Sequence, residues 1–205
     1  MQERNFAIKI EDNISGNDIL KKIEHIGRTC YKSEDKISEH SAEDFVKMII
    51  SRKHESVLEH EKISVRIICD RGISHEIVRH RIGSYSQEST RYCNYSQDKF
   101  GKEITVITPS YFIGDKKLEV WKAAMEKAEE FYFELINLGA TPQEARAVLP
   151  NSLKTEIVVT YNLREWRHFL QLRTSNGAHP QMREVAEAIL NEFKMYIPII
   201  FDDIL

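Results

Sequence analysis

The chain combines short alternating apolar segments with longer segments of helical periodicity. At residues 63–69, Ile63, Val65 and Ile67 alternate with more polar positions, which predicts a strand with one buried face. Further strands are predicted at residues 6–10 and 153–161. Helical periodicity predicts seven helices, at residues 16–30, 42–50, 72–80, 117–138, 142–149, 163–172 and 180–195. This pattern indicates an α+β fold in which long helices pack around a small, mostly antiparallel sheet.

Local signals define several helix ends. Gly139 is expected to stop the long helix. Thr141 and Glu144 form a predicted capping box, and Asn162 with Glu165 forms a second. Residues 83–97 are polar, rich in serine and tyrosine, and predict a long ordered loop, a kind of segment that is often functional. We find no linker, so residues 1–205 are expected to form a single domain.

Composition limits the possible partners. Hydrophobic residues make up 41% of the 205 positions, and the formal net charge is -3, which argues against nucleic acid as a partner. The N-terminus leads into no apolar core of signal-peptide length, and no apolar run is long enough to span a bilayer, so we expect no membrane partner. Three cysteines without a CxxC pair indicate a reducing compartment. A cytoplasmic protein is therefore expected.

The first candidate for chemistry is the triplet Arg79-His80-Arg81 and the polar segment after it. Cations at a helix C-terminus also favour the helix dipole, so a structural role for the triplet alone remains open. If the following segment is extended, Gln87, Ser89 and Arg91 project from the same side. An amide, a hydroxyl and a guanidinium would then face one ligand, a set suited to a phosphate or a pyrimidine edge.

Other polar clusters are less specific. The segment 54–60 does not place a second histidine four residues after His54, so the usual zinc-protease motif fails. A different metal site using His54, Glu59 and His60 stays open beside a simple exposed turn. Towards the C-terminus lie cations that could bind a ligand or pair with nearby acids, namely Arg146, Arg164, His168 and Arg173. No common nucleotide-binding glycine motif occurs, and no cysteine lies in an evident activated triad.

The spacing of Arg79-His80-Arg81, seven residues, Ser89, one residue and Arg91 resembles the motif of the flavin-dependent thymidylate synthases. Flanking segments agree in order: 54–60, 144–150, 162–164 and 169–174. The resemblance covers roughly residues 40–190. It implies an enzyme, a methyltransferase, that methylates dUMP to dTMP with methylenetetrahydrofolate as carbon donor and NADPH-reduced FAD as reductant, without a cysteine nucleophile and without a metal.

The resemblance also implies roles for individual residues. FAD-binding positions are Ser56, Arg79, His80, Arg81, Asn162, Arg164 and His168, and His54 lies on the folate or nicotinamide side. Positions for dUMP are Glu76, Arg79, Gln87, Glu88, Ser89, Thr90, Arg91, Arg146 and Arg173, of which Arg173 would favour ionisation of the uracil ring and is the catalytic candidate. Glu76, Gln87 and His168 stand where the family often has glutamine, glutamate and asparagine, and Glu76 is expected to pair with Arg79 or His80.

The family works as a homotetramer with active sites shared between subunits, which is the assembly expected here. Two competing interpretations remain. One is a metal-dependent nucleotide hydrolase built on His54, Glu59 and His60. The other is an RNA-binding module in which the segment 79–91 grips phosphates and tyrosines stack on bases.

Overall fold

The computed structural model describes residues 1–204 and contains helices and a small antiparallel sheet, as the sequence predicts. The strands are β1 Gln2–Arg4, β2 Ala7–Ile10, β3 Lys62–Asp70, β4 Ser84–Gln87, β5 Thr105–Ile107 and β6 Lys154–Asn162. The helices are α1 Gly16–Tyr31, α2 Ser41–Ser51, α3 Arg71–Ile77, α4 Lys117–Asn137, α5 Pro142–Ala145, α6 Leu163–Arg173, α7 Pro180–Tyr196 and α8 Pro198–Phe201. Within residues 1–204, no helix combines the length and apolar character needed to cross a membrane.

Two strand groups organise the backbone. Four strands form one sheet in the order β2-β3-β6-β4. Strands β1 and β5 form a separate parallel pair in which Gln2 lies opposite Thr105. Side chains of β3 and β6 alternate between buried and partly exposed positions, because successive residues of a strand point to opposite faces. The alternation predicted at residues 63–69 is therefore confirmed.

Contacts divide the chain into two compact units. Unit 1 comprises Met1–Ala7, Ile67–Arg79 and Tyr85–Val158. Unit 2 comprises Ile8–Arg66, His80–Ser84 and the residues from Val159 onward. Each unit has segments from distant parts of the sequence, so the chain crosses between them several times. The expectation of one functional domain stays a prediction.

The core of unit 2 is built from aromatic rings. Trp166 packs against Tyr161 with ring centroids 4.7 Å apart and against Phe193 at 5.2 Å. Its indole N–H donates to the Ile63 carbonyl at 2.9 Å, which satisfies the one polar atom of the buried ring. Phe169 meets Trp166 edge to face at 5.6 Å. Helix α6 is thereby anchored by its apolar side, the stripe of Leu163, Trp166 and Leu170 that the sequence predicts as core.

The core of unit 1 lies around α4. Trp121, Met125 and Tyr132 are its buried residues on this helix, and they pack with Tyr95 and Leu153. The helix ends as predicted, since Gly139 follows it with a φ of 92°, in the region where only glycine is unstrained. The predicted capping box of Thr141 and Glu144 is present. The helix predicted over residues 142–149 is shorter than expected, because α5 ends at Ala145 and the N–H of Leu149 closes a tighter 3-10 turn, Arg146–Val148, on the Arg146 carbonyl.

Two further expectations about local structure need correction. Helix α3 ends at Ile77, three residues before the predicted end at His80, because the backbone N–H of Arg79 closes a tighter turn on the Glu76 carbonyl. The predicted loop 83–97 begins with strand β4, and the N–H of Glu88, just past its end, donates to the Glu156 carbonyl at 2.8 Å. This strand escapes prediction because its side chains are polar and show no apolar alternation.

Candidate functional site

Unit 2 contains a buried imidazole, His80, which is only 5% exposed. Its Nδ1 lies 3.2 Å from a carboxylate oxygen of Glu165. Its Nε2 accepts a hydrogen bond from Nε of Arg173 at 3.1 Å. The edge of the ring packs on Phe169, with centroids 4.8 Å apart. Three residues of helix α6 thus surround one side chain from a distant part of the sequence.

The electrostatics of this cluster favour a neutral imidazole. Burial, and then the nearby charges of Arg173 and His168, lower the pKa of His80 to about 4. Burial raises the pKa of Glu165, and the cationic form of His168 partly opposes that shift. Helix α6 supplies both Glu165 and Arg173. The predicted second capping box is only half formed, because Asn162 accepts from the Glu165 N–H while the Glu165 carboxylate meets His80.

The remaining unit 2 candidates lie near the surface. Arg164 donates to Glu59 at 2.6 Å, an exposed ion pair. His54 is hydrogen-bonded through Nδ1 to the Tyr31 hydroxyl at 2.8 Å. Ser56 lies exposed in the 3-10 turn Glu55–His60, and Arg81 is exposed directly after His80.

Only one group of potential metal ligands forms among the described residues, and it is not the one considered from the sequence. His80, Glu165 and His168 place ligand atoms within 4.8 Å of one another. Glu59, a member of the predicted set with His54 and His60, is instead engaged by Arg164. Both ring nitrogens of His80 already have hydrogen-bond partners, so a cation could bind there only by displacing one of them.

Unit 1 contains the candidates of the 85–91 segment. Gln87 donates its amide N–H groups to the Ser74 hydroxyl at 2.9 Å and to the Thr155 hydroxyl at 3.1 Å. Ser74 and Thr155 are buried, so Gln87 is directed inward. Arg79 and Glu76 lie just before this segment, Arg79 exposed and Glu76 half-buried. The expected pairing of Glu76 with Arg79 or His80 stays a prediction.

Glu88 is held as part of an ion pair. Its carboxylate lies 2.7 Å from the ammonium group of Lys154, and both side chains are largely buried. The Tyr95 hydroxyl donates to the other carboxylate oxygen at 3.4 Å. Burial and the neighbouring Glu88 charge raise the pKa of Tyr95, which keeps this hydroxyl a donor. Sequence reasoning misses Lys154 and Tyr95, since nothing in their local spacing indicates Glu88.

The segment after β4 does not remain extended. The chain turns at Ser89, whose carbonyl accepts from the backbone N–H groups of Tyr92 and Cys93. The same-side alternation expected for Gln87, Ser89 and Arg91 therefore stops at Gln87. The turn instead brings the Ser89 hydroxyl to the Arg91 N–H at 3.3 Å.

A further cation approaches the same turn from the α5 region. The guanidinium of Arg146 donates to the Thr90 hydroxyl at 3.4 Å. Thr90 is buried, whereas Arg146 and Arg91 are exposed. The guanidinium of Arg91 lies 5.6 Å from the ring centroid of exposed Tyr92. The turn thus carries two guanidinium groups and two hydroxyls, a set of donors suited to an anion.

Comparison with known proteins gives the family. The model of the family described as thymidylate synthase complementing protein matches residues 14–199. The flavin-dependent thymidylate synthase of Pyrococcus furiosus is 39% identical over 172 residues, which cover 83% of this chain and 70% of that protein. The enzyme of the same name from Geobacter sulfurreducens is 37% identical over 183 residues, covering 86% and 78% of the two chains.

A solved structure shares the fold. The crystal structure of a UMP/dUMP methylase, PolB from Streptomyces cacaoi, bound with 5-Br dUMP, superposes with a TM-score of 0.81 at 21% identity, covering 98% of this chain and 96% of that one. At this identity the likeness establishes the fold only. The family model, which spans most of the residues, and the sequence relatives establish more: this chain belongs to the flavin-dependent thymidylate synthase family.

Proposed function

We propose that this chain converts dUMP to dTMP by reductive methylation, with methylenetetrahydrofolate as the one-carbon donor. FAD, once reduced by NADPH, would supply the reducing equivalents that turn the transferred carbon into a methyl group. The observation that carries the proposal is the state of three motif arginines, Arg79, Arg81 and Arg91. All three are exposed, and none forms an ion pair with another residue of 1–204. Their guanidinium groups are therefore available to anionic ligands.

The residues of unit 2 fit a flavin nucleotide by their donor chemistry. A diphosphate requires several cationic or N–H donors, and the exposed guanidinium of Arg81 is one such donor that no ion pair within residues 1–204 engages. Arg164 is paired only with the exposed Glu59, an interaction weak enough to be exchanged for a ligand contact. We assign FAD binding to these two residues together with Arg79 and the further positions Ser56, His80, Asn162 and His168, and we place His54 on the folate or nicotinamide side.

The turn of unit 1 fits a nucleotide monophosphate. Arg91 and Arg146 supply charge, while Ser89 and Thr90 supply hydroxyls. The Lys154 ammonium balances the Glu88 carboxylate, so this acid does not oppose an incoming phosphate. We assign dUMP binding to these residues together with Glu76, Arg79, Gln87 and Arg173.

Arg173 is the residue to which we assign a catalytic role. A pyrimidine must be electron-rich to donate an electron pair from its carbon 5 to an electrophilic carbon. Loss of the ring N–H proton provides this, because it leaves negative charge on the ring. A fixed guanidinium donor lowers the energy of that charged form. Arg173 has a fixed orientation, because its Nε is bonded to the buried ring of His80.

The cysteines are poor candidates for an activating nucleophile. Burial raises the pKa of Cys69 and, together with the Glu88 charge, that of Cys93, so neither thiol ionises readily at neutral pH. Cys93 is the cysteine next to the proposed dUMP turn. All three cysteines are free, which also supports a reducing, cytoplasmic location for the protein.

We further propose a homotetramer in which each FAD site takes residues from more than one copy. Large apolar side chains lie in solvent in the single chain, among them Ile82 at 66% exposure, Tyr92 at 79% and Val120 at 73%. Contact with another copy would remove such apolar surface from water, which favours association. Light scattering measures the assembly, and a monomer with full activity would rule out shared sites.

The proposed function is tested first by colour and product. The purified protein should be yellow, its absorbance should bleach with NADPH under anaerobic conditions, and dTMP should appear only when dUMP and methylenetetrahydrofolate are both present. Arg81→Ala should lose flavin, whereas Arg173→Ala should keep flavin and lose turnover. A colourless protein that does not take up FAD and has no affinity for dUMP would refute the proposal. Activity abolished by a chelator, or salt-sensitive RNA binding, would favour the competing interpretations.

A further inference from the structure

The hydrogen bonds around His80 specify its tautomer. A guanidinium nitrogen can only donate, so the Nε2 atom that receives the bond from Arg173 carries no proton. The ring proton must then be on Nδ1, which donates to Glu165. The pKa of His80, lowered to about 4, agrees with a ring that stays neutral at neutral pH. The result is an ordered chain of carboxylate, neutral imidazole and guanidinium.

Such a chain transmits orientation from one end to the other. A carboxylate that accepts from Nδ1 holds the imidazole plane and makes the opposite nitrogen a stronger acceptor. Packing supports the same orientation, because the ring lies against Phe169 at 4.8 Å and His168 at 5.6 Å. The acceptor offered to Arg173 is therefore fixed in position and direction.

Helix geometry makes this contact possible. Glu165 lies in the first turn of α6, and Arg173 is its last residue. Side chains of a helix point back towards its N-terminus, so the guanidinium of Arg173 can reach the imidazole that Glu165 holds. Glu165 is only 8% exposed, and burying a carboxyl group is costly unless it has a hydrogen-bond partner, which Nδ1 of His80 provides.

We infer that Glu165 is a positioning residue that sets the orientation of the Arg173 guanidinium through His80. The inference rests on the proposed function, since it assigns Glu165 a part in the pyrimidine step. Glu165 itself touches neither substrate nor cofactor in this scheme. His80, which is also assigned to FAD binding, links Glu165 to Arg173 because its two ring nitrogens bond these two residues.

The kinetic test uses Glu165→Ala and Glu165→Gln in the flavin-loaded protein. Glu165→Ala should lower kcat about tenfold or more, while the flavin content and the KM for dUMP change less than about threefold. Glu165→Gln keeps an oxygen that accepts from Nδ1–H and should restore kcat to within about threefold of the parent. Glu43→Ala, at an exposed acid on α2, is the matched control and should leave kcat unchanged.

A double-mutant cycle separates positioning from general damage. In the Arg173→Ala background, Glu165→Ala should cause little further loss of kcat, because the residue it positions is gone. Full multiplication of the two losses, or a Glu165→Ala enzyme with parental kcat, would overturn the inference.

A measurement that does not depend on turnover still tests the inference if the Glu165 variants do not fold. It also separates the inference about Glu165 from the proposed function. Nitrogen NMR of the parent labelled in histidine, with His80 assigned by His80→Gln, should show the Nδ1–H tautomer and a shift of Nε2 in Arg173→Ala. An Nε2–H tautomer would overturn the inference even if the enzyme makes dTMP. The expected tautomer in a protein that makes no dTMP would instead refute the proposed function.

Discussion

A methyl group added at Gly83 should disturb the aromatic core next to His80. A Cβ at this position would overlap the Cδ1 and Cε1 atoms of the Tyr161 ring and lie 3.1 Å from the Thr160 carbonyl oxygen. The ring cannot easily move away, because Tyr161 is 1% exposed and packs on Trp166 with centroids 4.7 Å apart. Gly83→Ala must therefore displace the strand, the ring or the segment that carries His80.

Overpacking of this kind costs about 1–3 kcal/mol. In a chain of this size each kcal/mol lowers Tm by about 2–4 °C, so Gly83→Ala should melt about 2–12 °C below the parent. The measurement is a circular dichroism melt of the flavin-free protein at fixed concentration, repeated as a urea titration. Flavin content after purification should also fall, because His80, which we assign to FAD binding, lies with its ring centroid 6.3 Å from that of Tyr161.

Gly177→Ala is the matched control. Its nearest neighbour would be the Ser175 hydroxyl oxygen at 4.0 Å, which is ordinary contact, and its φ is not positive. The smaller entropy of the unfolded chain should make this variant equal to the parent or slightly more stable. If Gly83→Ala and Gly177→Ala melted together with the parent, the packing argument around Tyr161 would be wrong.

Three further predictions concern charge and cysteine chemistry. The pKa of His80 is near the ordinary histidine value of 6.5 in the unfolded chain and about 4 in the folded chain. Lowering the pH through this window therefore favours unfolding, by about 2 kcal/mol at about pH 5. Urea midpoints at about pH 7.5 and 5 should show this loss of stability in the parent and a much smaller loss in His80→Gln. Arg167→Met removes a guanidinium that is only 3% exposed and binds Asp203 bidentately. The free energy of unfolding, measured by urea titration, should fall by about 2–3 kcal/mol. This is less than for a fully buried pair, because Asp203 is half exposed. Cys93→Ser should retain kcat within about threefold in an assay of dTMP formation, because the raised pKa of Cys93 makes it a poor nucleophile. A complete loss of activity would mean that the thiol takes part in the reaction.

Much of the backbone is predictable because its signals are local. The alternation that predicts β3, the glycine that ends α4 and the Thr141 capping box each depend on residues a few positions apart. Strand β4 is different, because it has no apolar alternation of its own and forms by pairing with β6, some seventy residues later. Local patterns do not report such pairing.

The candidate site shows the same division. The family motif identifies Arg79, His80 and Arg81 from spacing alone, whereas the partner of His80 is 85 residues away. The sequence predicts Glu165 as half of a capping box with Asn162. The backbone N–H of Glu165 does donate to Asn162, but the Glu165 carboxylate bonds His80 instead of the cap. A side chain in the first turn of a helix has two possible uses, and only the position of a distant residue decides between them.

Helix α6 explains why sites of this kind tolerate little movement. Asn162 caps its first turn, while Trp166 and Phe169 hold its apolar side in a core without exposed surface. Glu165 and Arg173 project from the same rigid element, so the distance between carboxylate and guanidinium is set by helix geometry and by the one imidazole between them. Substitutions on the buried side of α6 should therefore change turnover as well as stability, because any rotation of the helix alters both ends of the Glu165–His80–Arg173 chain together.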